Sequence, residues 1–373
     1  MRKYMEETKQ KYKVAYIPDP VCWTEAPDNY KIFTSQRNRW TRGTIETLKM
    51  HKNIAAAAEL LRTGGTVAFP TETVYGLGAD ISVPSAISKI FEIKQRPTDH
   101  PLIVHFADTT QLQHWAKEIP ESAWKLAECF CLGPLTLILQ RSNHIPTTVT
   151  GGQDTVGLRI PNHPIALDLL KTLGADTAIA APSANRFGRI SPTTATHVYE
   201  ELGDTVGMIL DGGACEVGLE STIVSFNNDT PTIIRPGGIS PDALADVLND
   251  QIMLANKNNL TGRAPGTHDS HYAPTTPLEA CTSEHIAQHS LELAAQGLRI
   301  VVITWSNCMK DTPSSENISR FCMSPESQIY GSQLYATLHQ FDREKFDRLL
   351  IETPPSSPNW LAINDRLQRA SHL

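Results

Sequence analysis

Apolar positions along the chain switch between short runs and 3.6-residue spacing, and that alternation predicts an α/β protein. Helical spacing marks 53–62, 84–94, 121–130, 164–172 and 193–201; in the second of these Ala86, Ile90, Phe91 and Ile93 share a stripe. Strand patterns mark 66–70, 102–106, 135–140, 155–160, 178–181, 207–210, 221–225 and 231–235. Strands outnumber what a plain doubly wound sheet needs, so the expected architecture is a twisted, mixed sheet. A smaller α/β unit follows, with strands at 299–305 and 348–352, a helix near 332–340 and a closing helix. It reads as Rossmann-like without a glycine fingerprint and is assigned no cofactor. Composition then divides the chain into four segments: a basic, aromatic, poorly periodic 1–52, the α/β segment 53–246, a polar linker 247–275, and the second unit 276–373.

Charge and cysteine usage narrow the function classes. The 373 residues carry a net charge of -7, yet residues 1–53 hold 11 Lys/Arg against 6 Asp/Glu, leaving 22 against 34 for the rest. That balance argues against a protein that coats nucleic acid and confines any basic surface to a local patch. The seven cysteines form no CxxC pair and no zinc-like set with histidines, which fits a reducing cytoplasm. No run approaches the roughly 18 apolar residues of a membrane span, and no secretory leader is visible.

Candidate chemistry gathers where strand patterns end. Phe69–Asp80, FPTETVYGLGAD, passes from a buried strand into what reads as a turn of small, hydroxyl and glycine residues. Gly76 and Gly78 there would allow close approach of backbone to a ligand or a positive φ, and Thr71 and Thr73 supply hydroxyls. Lys94 and Arg96 fall at the C-terminal edge of a helix barred from continuing by Pro97, followed by His100 and His105. Two cations beside a Thr/Gly loop suit phosphate oxygens; the alternative is that they satisfy the last helix carbonyls. Alternation places Thr155, Gly157 and Arg159 on one strand face, turned either to a cavity or to solvent. Ala180–Asn185, with Gly188, Ser191 and Pro192 after it, has the composition of a ligand-wrapping loop and equally of an ordinary turn. Asp211–Gly213, Gly218–Ile223 and Arg235–Gly238 complete the set, with Glu72 and Glu220 as candidate orienting groups.

The order FPTETVYGLGAD, KxRP, HPLIVH, GPLT, TVGLRIPNHP, APSAN, SPT, GLESTI and RPGGI resembles the YrdC-domain family. The later PGTHDSHYAP and NDRLQRA resemble the long, two-domain form of the threonylcarbamoyl-AMP synthases, so the likeness covers about 53–373. It implies a YrdC-like catalytic domain with a second, Rossmann-like α/β domain. It also implies synthesis of threonylcarbamoyl-adenylate and pyrophosphate from L-threonine, bicarbonate and ATP, feeding a downstream tRNA threonylcarbamoyl transferase; stable direct tRNA binding is left open. By resemblance, Thr73, His105, Arg159, the backbone at Ala181 and Ser221 hold threonine. Arg96, His100, Thr155, Ser183, Ser191, Arg235 and Tyr272 hold ATP, with Lys94 reaching phosphate and Lys94 and Arg96 as the catalytic cations. Mg²⁺ is expected on the phosphates rather than in a carboxylate cage. In the long form the segment ending in HYAP folds over the cavity, which would make Tyr272 part of a lid. His100 stands where Asn is common, Leu132 where Pro usually precedes GPLT, and Thr267–Ser270 where the family often has a basic stretch.

Residues 17–43, with IPDPVCWTEAP and then QRNRWTRG, resemble the end of the catalytic domain of processive glycosyltransferases. The nucleotide-sugar strands and paired aspartates are missing, so the fragment reads as a remnant without transferase activity. The competing reading for the remainder is an RNA-binding module using a cation-lined concave face, and the acidic balance counts against it.

Overall fold

The computed structural model describes residues 53–227, 230–255, 272–306 and 315–371. The glycosyltransferase-like segment and linker residues 256–271, including Thr267–Ser270, lie outside them. Among the described residues one eleven-stranded mixed sheet and one four-stranded parallel sheet form.

The chain enters through helix α1 (53–62) and strand β1 (Val67–Phe69), then turns into β2 (Gly76–Asp80), antiparallel to β1. Gly76–Asp80 is thus a buried central strand rather than the turn its glycines suggest, and neither Gly76 nor Gly78 has a positive φ. A Cβ on Gly78 would sit 2.7 Å from Ile179 Cγ2 and 2.8 Å from Phe69 Cε1. The glycine is needed there for close packing between strands, not for backbone freedom.

Helix α2 (Pro84–Lys94) starts with Pro84 in its first turn and ends at Gln95 in the left-handed conformation, matching the extent read from spacing. Next come β3 (Ile103–His105), α3 (Leu112–Trp115), β4 (Ala116–Lys117), α4 (Glu121–Phe130), β5 (Leu135–Arg141) and β6 (Thr155–Arg159). After α5 (Pro164–Leu173) follow β7 (Ile179–Ala180), α6 (Ala195–Leu202), β8 (Met208–Ile209), β9 (Thr222–Asn227), β10 (Thr230–Arg235), α7 (Pro241–Leu248) and β11 (Met253–Leu254). Strand order is β11-β10-β9-β5-β6-β3-β7-β2-β1-β8, with β4 added beside β5. Strand β7 runs antiparallel to β3 and β2, so the residues leaving it meet the starts of both, Ala181 at Ile103 and Ser183 at Gly76. Parallel register sets His105 beside Arg159, and an isolated bridge ties Gly76 to Ser183. Apolar side chains cover both faces, in one cluster around Tyr75, Leu77, Val104 and Leu158 and another around Phe69, Ile165, Leu169 and Ile179.

The second sheet runs β12 (Leu278–Cys281), β15 (Arg348–Glu352), β13 (Ile300–Thr304), β14 (Ile318–Cys322). It is flanked by α8 (Ser283–Ala295), α9 (Ser327–Glu344) and α10 (Leu361–Ala370). The sequence pattern marks β13, β15, α9 and α10 but not β12, α8 or β14. Half-exposed strands such as β14, with only Ile318 buried, offer little apolar signal. Both sheets belong to one unit, Lys52–Leu373. No helix among the described residues is long and apolar enough to cross a membrane.

Helix α9 lies against loops of the eleven-stranded sheet. His339 Nε2 lies 3.2 Å from the Ser191 carbonyl, and its ring stacks on His197 at 4.0 Å between centroids. Burial, and then neighbouring positive charge, hold His197 at about 4 and His339 at about 3; the same causes hold His105 at about 3. Unfolded histidine titrates near 6.5, so between about pH 6.5 and 4 the unfolded chain binds protons that the folded chain refuses. Stability is therefore expected to fall as pH falls through that window, before carboxylates titrate. Urea midpoints at pH 7.5 and 5.0 measure it, and His339→Gln should flatten the slope; an unchanged slope would refute the assignment.

Candidate active site

The β1–β2 connection, β3, the last residue of β6, the loop after β7, the entry to β9 and the last residue of β10 enclose, with Arg96 and Tyr272, a cavity of about 520 Å³ including its mouth. Its lining comprises Thr71, Val74, Gly76, Arg96, Ile103, His105, Arg159, Ala181, Pro182, Ser183, Glu220, Ser221, Arg235 and Tyr272. Strand ends and adjoining loops are the usual location of sites in α/β folds.

At one end Arg159, 5% exposed, donates from Nη2 to Glu72 Oε1 at 2.7 Å and to Thr73 Oγ1 at 2.8 Å. Glu72 also accepts the Asn162 N–H at 2.9 Å, and Thr73 shares a 2.8 Å bond with Thr71. Glu72 is therefore a carboxylate that aims the guanidinium, whose buried Nε has no partner. His105 stands beside it, pushed down by burial and by Arg159's charge, so its imidazole is neutral at physiological pH. It adds no positive charge to the cavity. Ala181 donates its N–H to the Ile103 carbonyl at 2.9 Å, which fixes the backbone between these groups.

At the other end are Arg96 and Arg235. Arg96 donates to the Pro101 carbonyl at 3.0 Å, and its buried Nε has no partner. Burial lowers it to about 10, so it stays a cation at neutral pH. Arg235 donates from Nη2 to the Ser221 carbonyl at 2.9 Å and to Ser221 Oγ at 3.1 Å. Ser221 in turn bonds Thr136 at 2.7 Å. Tyr272, 1% exposed with φ 64°, stacks on Tyr335, and burial raises its phenol above the ordinary range. Glu220 stays a carboxylate despite burial, because Arg366 and Arg235 outweigh the desolvation cost.

The cavity thus gathers Arg96, His105, Arg159, Ala181, Ser183, Ser221, Arg235 and Tyr272 from the sequence-derived set, with Thr73 held against Arg159. Lys94, His100, Thr155 and Ser191 are not among the lining residues. The Lys94 ammonium, expected on phosphate, instead donates to the Ser183 carbonyl at 2.5 Å and to that of Asn185, and the side chain is 1% exposed. It satisfies carbonyls of a loop distant in sequence, not those of its own helix. Burial and then Arg96 push it well below the ordinary lysine range. The His100 ring lies 5.3 Å from that of Phe187, which also sits 5.9 Å from the Arg96 guanidinium. Thr155 begins β6, four residues from Arg159. Ser191 donates to Glu220 Oε1 at 2.6 Å and so reaches the cavity through that carboxylate. Sequence reasoning missed Arg366 and Tyr335, both contributed by the second sheet's helices. The only trace of the former is its place in NDRLQRA.

A family model described as telomere recombination (Sua5, YciO, YrdC) matches residues 59–237, and one described as the C-terminal domain of threonylcarbamoyl-AMP synthase matches 239–372. A chitin synthase model matches residues 1–87, overlapping the first. The threonylcarbamoyl-AMP synthase of Bacillus subtilis is 39% identical over 339 residues, covering 89% of this chain and 97% of its own. That of Schizosaccharomyces pombe is 34% identical over 373 residues, covering 89% and 91%. The crystal structure of Pyrococcus abyssi Sua5 complexed with L-threonine superposes with a TM-score of 0.78 at 37% identity, covering 85% of this chain and 94% of that one.

Proposed function

Because the chain belongs to the threonylcarbamoyl-AMP synthase family, we infer that it is an L-threonylcarbamoyladenylate synthase, a nucleotidyltransferase acting on L-threonine and ATP. The observation that carries this reading is one cavity with an arginine-carboxylate fork at one end and two further arginines at the other. Buried, unpartnered nitrogens of Arg159, Arg96 and His105 belong to its lining.

Threonine fits the Arg159 end. The guanidinium meets the carboxylate while Thr73 and the neutral His105 take the hydroxyl and amine. The amine attacks bicarbonate carbon to give a carbamate with loss of water. A carbamate oxygen then attacks the α-phosphorus, and pyrophosphate leaves. No covalent enzyme intermediate is needed, so catalysis is positioning and charge stabilisation. Arg96 and Arg235 neutralise the triphosphate, Ser183 and Ser191 orient it, Ser221 serves the threonine side, and Tyr272 closes the site against water. Lys94 contributes by fixing the Ser183–Asn185 loop.

Magnesium enters with the nucleotide. Glu220 is the one carboxylate among the lining residues, and both its oxygens already accept hydrogen bonds, which suits an ion held by phosphate and water. The adenylate is an acyl-phosphate-type donor, to be consumed by a transferase acting on tRNA. A reducing cytoplasm accords with the cysteines, of which Cys129, Cys131, Cys215, Cys281 and Cys322 are free thiols.

The test is pyrophosphate release from ATP. Release should require both threonine and bicarbonate, and the adenylate should be recovered by mass. Folded protein that releases none, or releases it without threonine, would refute the assignment.

A further inference from the structure

We propose that Arg366 and Tyr335, supplied by the C-terminal α/β unit, are positioning residues for the nucleotide end of the catalytic cavity. They act by fixing Glu220 and Tyr272 and, through Glu220, the hydroxyl of Ser191. The proposal rests on the synthase reading only in naming ATP as the ligand of that end.

Arg366 on α10 is fully buried, and its guanidinium is committed in three directions. Nε donates to Glu220 Oε2 at 2.7 Å, Nη2 to the Pro236 carbonyl at 3.0 Å, and Nη1 to the Asp365 carboxylate. The same guanidinium lies 4.9 Å from the centre of the Tyr272 ring, within cation–π reach. Tyr335 on α9 donates its hydroxyl to Glu220 Oε2 at 3.0 Å, and its ring stacks on Tyr272 at 5.8 Å. Two side chains of the second unit therefore hold one carboxylate and one phenol that line the cavity of the first.

The contact is also set by backbone. A Cβ on Gly218 would lie 2.6 Å from Ser332 Cα, so the loop carrying Glu220 is pressed directly on α9. Pro236, the acceptor of Nη2, adjoins Arg235, and one guanidinium thereby ties together the two segments bearing Glu220 and Arg235. An ion pair that merely joined two halves would be placed away from the cavity. Here the joined carboxylate is a wall of it and accepts the Ser191 hydroxyl at 2.6 Å. Without Arg366 a buried carboxylate would lose its nearest counter-charge and turn toward the remaining cation, Arg235, drawing that guanidinium from the phosphates.

Full-length Arg366→Gln, Tyr335→Phe and the double variant Glu220→Gln/Arg366→Gln test this, through apparent KM for ATP and for threonine, calorimetric Kd for ATP, and melting temperature. For Arg366→Gln, KM and Kd for ATP should rise about 10–100-fold while KM for threonine stays within about twofold. Tyr335→Phe keeps the ring stack and should show a smaller rise in the same constants, about three- to tenfold. The double variant removes both members of the Arg366–Glu220 pair, though Arg235 loses the same carboxylate, so its melting temperature should recover part of the way toward wild type while its ATP constants do not. Equal losses toward both substrates, or ATP constants restored together with stability in the double variant, would reduce Arg366 to a structural tie and overturn the proposal. Wild-type protein that binds ATP but makes no adenylate would overturn the reaction instead, and the nucleotide affinities would still decide the positioning role; wild type that fails to bind ATP overturns both.

Discussion

Replacing Arg159 by Gln is expected to lower kcat/KM for threonine by roughly 10²–10³-fold, the cost of about 2–5 kcal/mol typical of truncating a buried, hydrogen-bonded charge. Arg159 sits at the end of β6, 5% exposed, with Nη2 committed to Glu72 and Thr73 and the buried Nε unpartnered. A carboxylate entering the cavity would meet a fork already aimed and desolvated. Lost binding should appear in the threonine terms, with KM for ATP little changed. Glu72 would be left paired only with the Asn162 N–H, so stability should fall as well, by about 3–5 kcal/mol if the carboxylate stays ionised. Arg159→Lys separates charge from geometry: an ammonium lacks the planar fork in which one nitrogen serves Glu72 and Thr73 while other donors face a ligand, and only partial recovery is expected. Initial rates over a threonine titration, with melting curves on the same samples, decide the matter. A folded Arg159→Gln enzyme with unchanged threonine dependence would remove Arg159 from the site.

Lys94 and Arg96 should separate into a stability residue and a substrate residue. Lys94→Met removes the donor from the Ser183 and Asn185 carbonyls, and each carbonyl left buried and unsatisfied costs about 1–3 kcal/mol. The unliganded protein should melt several degrees lower, and activity should fall because Ser183 lines the cavity. Arg96→Ala gives up one bond to the Pro101 carbonyl, a cost of about 1 kcal/mol, yet it removes a cation from the phosphate end. Its melting temperature should stay near wild type while kcat/KM for ATP drops about 10²-fold. Thermal denaturation and ATP titrations on both variants check this. If Lys94→Met melts like wild type but loses ATP affinity, the ammonium serves phosphate in solution and the carbonyl contacts are incidental.

Chain pattern alone determined a good deal. The extent of α2, the strand that delivers Arg159 and the hydroxyl loops after β1 and β7 were all legible, because helical spacing, Pro84, Pro97 and the alternation of 155–159 are local signals. Gly76 and Gly78 misled as turn residues. The requirement for Gly78 comes from Phe69 and Ile179, which only the β1-β2-β7 order brings against it, while Gly76 lines the cavity. The direction of Lys94 depended likewise on a loop 89 residues away. His105 became neutral only through burial beside Arg159, which no local spacing expresses. The arrangement of Glu220, Arg366, Tyr335 and Tyr272 lay further still from view. Its members come from four separate segments, and a buried ion pair is specified by three-dimensional neighbours and exclusion of water, whereas periodicity reports only which face of an element is apolar.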